Sequence, residues 1–96
     1  MGMEKQIERR LVQKIKEKNG LCLKLTGYKG IPDRIVLIDG RCYFVELKDE
    51  GKKLRHEQKV WQDKLQALGF VSVMLDSKDA VDEFVRDLKA GEKDGR

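Results

Sequence analysis

An Asp39-Gly40 pair set between two apolar runs, residues 35–38 and 42–47, limits what this chain can fold into more than any other feature. A two-residue turn of that composition is a strong short-range signal for a β-hairpin. It also sets the register. Ile38 then faces Arg41, Val36 faces Tyr43, and Asp33 falls opposite Glu46. Directly opposed residues hold their Cβ atoms roughly 4.5–5.5 Å apart, and like charges so placed destabilise a sheet. Lys48, two residues beyond Glu46, lies on the same strand face. Two acids side by side call for a compensating cation, and a bound divalent metal is the natural candidate.

The hairpin sits within a regular alternation of elements. Residues 4–18 read as an amphipathic helix, with Ile7, Leu11 and Ile15 on one stripe, Val12 widening it, and Asn19-Gly20 as the stop. Residues 21–25 form a short strand, and the Gly-rich segment 26–30 leads into the hairpin. Gly51-Lys52-Lys53 breaks the chain after the third strand. A second helix covers 57–68, with Trp61, Leu65 and Leu68 on one face and Gly69 as its stop. Residues 70–75 are a fourth strand, and Ser77 or Asp79 caps a last helix bearing Val81, Phe84, Val85 and Leu88. The order is αβββαβα. Its first three strands can be antiparallel, whereas the fourth follows a helical crossover and can run parallel to a neighbour. The expected class is α/β, a mixed sheet of about four strands flanked by helices.

With 96 residues there is room for one domain, expected over 1–90, followed by a polar, disordered tail over 91–96. Charged residues make up 40% of the chain and the net charge is +4, which is compatible with a polyanionic partner. Cys22 and Cys42 lie in apolar runs without CxxC spacing and read as reduced core thiols. There is no secretory signal, and no apolar run approaches the ~18 residues of a membrane span. The expectation is a soluble protein of the cytoplasm.

Polar residues on the apolar stripes add to the hairpin acids. Glu8 has Leu11, Val12 and Ile15 three, four and seven residues further on, so it lies on or beside the buried face of the first helix. Glu4 shares its column one turn earlier, where the helix dipole alone would favour an acid. Gln58 begins the stripe that continues through Trp61, Leu65 and Leu68, which aims its amide at the sheet. His56, the one histidine, reads as a solvated residue at a helix start. Asp33 and Glu46 offer hard oxygen ligands suited to Mg²⁺ or Mn²⁺, and the backbone carbonyl of Leu47 is a further candidate ligand. Lys48 can orient an attacking water or stabilise developing negative charge. An E-x-K tripeptide alone is an ordinary strand salt bridge; the register that adds Asp33 lowers the weight of that reading.

Gly30-Ile31-Pro32-Asp33, then Glu46-Leu47-Lys48, then Gln58 on the following helix, resemble the VRR-NUC family of the PD-(D/E)xK nuclease superfamily. Pro32-Asp33 matches the PD and Glu46-Leu47-Lys48 the ExK. Glu8 resembles the first-helix glutamate of related Holliday junction resolvases. The resemblance spans residues 4–88 and implies a restriction-endonuclease-like fold and a Mg²⁺- or Mn²⁺-dependent DNA endonuclease. Small stand-alone members occur in bacteriophages and bacteria and are expected to cut branched DNA as homodimers. The implied catalytic set is Lys48, Asp33, Glu46, Glu8 and Gln58, with Asp33, Glu46, the Leu47 carbonyl and Glu8 at the metal. Lys29, Arg34, Lys52, Lys53, Arg55 and Lys59 are candidate phosphate contacts. A flap or nicking nuclease, or a non-catalytic DNA-binding subunit of the same fold, is the alternative.

Overall fold

In the computed structural model, which describes residues 3–94 and side chains as far as Leu88, the elements are α1 (Glu4–Glu17), β1 (Leu21–Lys24), β2 (Arg34–Ile38), β3 (Arg41–Leu47), α2 (His56–Ala67), β4 (Val71–Leu75) and α3 (Lys78–Asp94). The strands lie in sequence order in one sheet. β1, β2 and β3 are mutually antiparallel, and β4 runs parallel to β3 after the α2 crossover. This is the expected mixed α/β architecture. The tail expected over 91–96 has its side chains and its last two residues outside the described residues, while the α3 backbone runs to Asp94.

Local chemistry accounts for the element ends. Asp39 and Gly40 both take positive φ, 52° and 73°, so the hairpin turns with the twist of its strands. At the end of α1, Asn19 (φ 66°) donates to the Lys16 carbonyl and Gly20 to that of Ile15. At the end of α2, Gly69 (φ 94°) donates to Gln66 and Phe70 to Leu65. Both pairs are Schellman closures. Of the two candidate caps for α3, Ser77 is the one used: its Oγ accepts from the Ala80 N–H at 3.0 Å.

The core lies between one sheet face and the helices α1 and α3. Ile7, Leu11 and Ile15 meet Val36, Val45 and Leu47 of the sheet, with Val81 and Val85 of α3 closing the layer. A fork from Arg10 to Asp82, at 2.8 and 2.9 Å, ties α1 to α3. α2 covers the opposite face near β4.

Two expectations need correction. Leu68, expected on the buried stripe of α2, is 74% exposed. It occupies the C-cap, beyond the last helical residue, and Phe70 instead packs edge-on against Phe44 at 5.6 Å. Cys22 and Cys42 are half-buried free thiols rather than fully buried ones. Among the described residues, no helix is long and apolar enough to cross a membrane.

Candidate active site

The hairpin register holds from Ile38↔Arg41 to Arg34↔Val45. One step further, at the open end, Asp33 leaves the β2–β3 ladder. Its carbonyl accepts from Leu25 at 2.9 Å, and its Oδ2 accepts from the Leu47 N–H at 2.9 Å. The Asp33 carboxylate is therefore pinned to the peptide that follows Glu46.

Glu46 itself is buried, on the sheet face that α2 overlies. Its Oε2 accepts from Gln58 Nε2 at 2.8 Å and lies 3.7 Å from Lys48 Nζ. Its Oε1 is buried with no hydrogen-bond partner among the described residues. Burial, and then the neighbouring Asp33 charge, push the Glu46 carboxyl up to about 7, against a weaker pull from Lys48. Lys48 is buried as well, with 11% of its side chain exposed.

Gln58 is the third residue of α2. Its Oε1 accepts from the Arg55 N–H at 2.8 Å, the reach-back of a capping box, which leaves the amide NH₂ aimed at Glu46. The same helix turn holds the loop before Asp33. Trp61 Nε1 donates to the Lys29 carbonyl at 3.1 Å, and the Tyr28 and Trp61 rings lie 5.6 Å apart. Gly30 has φ +85°, and a Cβ there would come within 2.6 Å of Glu57 Cβ and 2.7 Å of its carbonyl carbon. Only glycine permits this approach.

The acids of the first helix are not arranged as expected. Glu8 is drawn into an ion pair, accepting from Arg34 Nε at 2.8 Å, while Arg34 also donates to the Cys22 carbonyl. Glu4, one turn earlier, is the acid that feels the site. Burial first, then Asp33, raise its carboxyl, and Lys48 acts against them. The physical cause is long-range. The Glu4 N–H donates to Asp49 Oδ1 at 2.6 Å, so the residue after Lys48 caps α1 from 45 positions away and brings its N-terminus to the hairpin end. Sequence reasoning missed Asp49, whose one signal is its position directly after the ExK.

The structure thus brings Asp33, Glu46, Lys48 and Gln58 together and adds Glu4. Of the basic residues, Lys29 lies 3.6 Å from Glu57, Lys59 lies 3.2 Å from Asp63, and Arg34 is committed to Glu8. Lys52, Lys53 and Arg55 are exposed. An unpartnered buried carboxylate oxygen, a second carboxylate beside it and a nearby lysine suit a hard divalent cation. Among the described residues no three His, Cys, Asp or Glu side chains form a ligating cluster. A Mg²⁺-like ion takes only one or two carboxylates and completes its shell with water and phosphate, so Asp33 and Glu46 could hold it.

No protein-family model matches the chain. It is 37% identical over 79 residues to "Putative nuclease p44" of Acyrthosiphon pisum secondary endosymbiont phage 1, a match covering 79% of this chain and 85% of the relative. A solved structure described as "VRR_NUC domain" is similar to it with a TM-score of 0.82 and 27% sequence identity, over 90% of this chain and 97% of that one.

Proposed function

The chain belongs to the VRR-NUC family of nucleases, and from that premise we propose that it is a Mg²⁺- or Mn²⁺-dependent DNA endonuclease acting on branched DNA, of the Holliday junction resolvase kind. One observation carries the metal dependence. The buried Glu46 Oε1 has no hydrogen-bond partner among the described residues, and the carboxyl is raised by burial first and then by the acid beside it. Either a proton or a cation can relieve such a site, and above the raised value a divalent cation is the partner that lets both carboxylates stay ionised.

Asp33 and Glu46 would hold the cation, with the Leu47 carbonyl as a third oxygen and Glu4, rather than Glu8, as the first-helix acid. When bound, a divalent cation lowers the pKa of coordinated water and offsets charge on the phosphoryl oxygens. Gln58 fixes Glu46 by occupying Oε2, which leaves Oε1 for ligation. Lys48, its ammonium 3.7 Å from Oε2, orients the attacking water or meets the negative charge that develops on phosphate. Lys52, Lys53 and Arg55, exposed on the loop before α2, contact the DNA backbone.

The test is cleavage of labelled four-way junctions, flaps and plain duplex with Mg²⁺, with Mn²⁺ and with chelator. Paired symmetric cuts on the junction, abolished by chelator and reduced on the order of 10²-fold or more in Lys48→Ala, are the expected result. Cuts confined to flaps or single nicks would replace the resolvase reading with the simpler nuclease. No cleavage under any metal condition would sink the catalytic reading.

A further inference from the structure

Beside the carboxylate site, between α1 and β1, runs a groove of about 590 Å³ whose lining includes Lys5, Arg9, Lys16, Lys24, Arg34 and the acid Glu8. Its charge is lopsided. Glu8 is already neutralised by Arg34 at 2.8 Å. Lys5, Arg9, Lys16 and Lys24 are exposed, and among the described residues none of them forms an ion pair within 4.0 Å. The remaining α1 cations within reach of α3 are used differently, since Arg10 and Lys14 both meet Asp82. The helix has spent its structural charges on one side and turned Lys5, Arg9 and Lys16 toward the groove. Four cations without ion-pair partners along one trough raise its positive potential, which favours a polyanion able to meet several of them at once.

The groove and the site are joined through neighbouring residues of the chain. Arg34 directly follows Asp33, and Glu8 lies one turn beyond Glu4. Lys5 to Lys16 spans about 16 Å of helix axis, at about 1.5 Å per residue. That is close to the axial length of five nucleotides of one duplex strand, at about 3.4 Å each. We propose that this groove is a second phosphate track, which carries the backbone of the DNA on the α1 side of the scissile bond, while Lys52, Lys53 and Arg55 meet it on the α2 side. The inference rests on the nuclease reading and deepens it, since it assigns the arm of the substrate to a surface of its own.

The test combines Arg9→Gln, Lys16→Gln and Lys24→Gln in one variant, beside a charge-matched control carrying Arg41→Gln, Lys78→Gln and Arg86→Gln. All six side chains are exposed, so both variants are expected to keep the wild-type melting temperature. Binding of a labelled four-way junction is measured in chelator across a range of salt, and cleavage KM in Mg²⁺. If each groove cation meets one phosphate, the slope of log Kd against log salt falls by about 2.7 in the groove variant and stays unchanged in the control. KM rises in the groove variant alone. A wild-type protein that binds and cuts DNA beside a groove variant with unaltered slope and KM overturns the track and leaves the nuclease reading standing; the groove would then suit the acidic face of a protein. A wild-type protein that neither binds nor cuts DNA overturns both.

Discussion

Glu46 is held between influences that raise and that lower its carboxyl, and their balance makes a measurable prediction. Its folded carboxyl titrates at about 7 rather than at its ordinary 4.5, because burial and Asp33 outweigh Lys48. Between those two values the folded chain binds a proton that the unfolded chain has released. Stability from this group is therefore complete below about 4.5 and is lost as pH rises through about 7, by roughly 3 kcal/mol at most. The raised Glu4 acts with the same sign. Denaturant unfolding in chelator is expected to show this decline, and Glu46→Gln to remove most of it. Saturating Mg²⁺ is expected to raise the stability of the wild-type protein near pH 7 by mass action and to do so less for Glu46→Gln. An identical pH slope in wild type and variant would contradict the account.

At the scale of elements, the site depends on how tightly α2 closes over the loop before β2. Gly30 lets that loop touch the backbone of Glu57, and Gln58, one residue on, reaches Glu46. Gly30→Ala adds a Cβ within 2.6 Å of Glu57 at a φ that side chains disfavour. It is expected to cost about 1–3 kcal/mol of stability and to lower nuclease activity by displacing Asp33 from Glu46 and Gln58. Alanine at Gly27, whose φ is +122° but which has nothing within 4 Å, isolates the backbone cost. Comparable melting temperatures and activities for the two variants would show that the contact with α2 does not position the site.

At the scale of the molecule, the sheet is sealed unequally. α1 and α3 bury one face, whereas α2 covers the other only toward β4. On edge strand β1, Leu21 is 57% exposed and Leu23 45%, opposite the half-buried Leu37 and Ile35. The proposed paired cuts on a junction require two active sites, and if a second copy supplies the other, this apolar strip is the surface offered to it. Sizing in solution is expected to give twice the chain mass of 11.1 kDa for the wild type, and a monomer for Leu21→Glu combined with Leu23→Glu. A wild-type monomer at every concentration would rule out the homodimer.

The sequence alone determined the features whose physics is local. Positive φ at Asp39-Gly40 forces the hairpin and its register, Asn19 and Gly69 close their helices, and the strand period places Lys48 with Glu46. Those rules act between near neighbours, and a hairpin register propagates outward from its turn, so the core of the candidate site was legible before any other tertiary contact was known. Tertiary structure decided what lies farther apart. A helical stripe sets angle about the axis but not where along it the sheet ends, so Glu4 and Glu8 shared a column until Asp49 capped α1 and Arg34 claimed Glu8. The same gap misplaced Leu68, since a stripe says nothing of the turn at which the helix stops packing. Ion pairing is set by packing too, and it sorted the basic residues into those already spent and those left facing the groove.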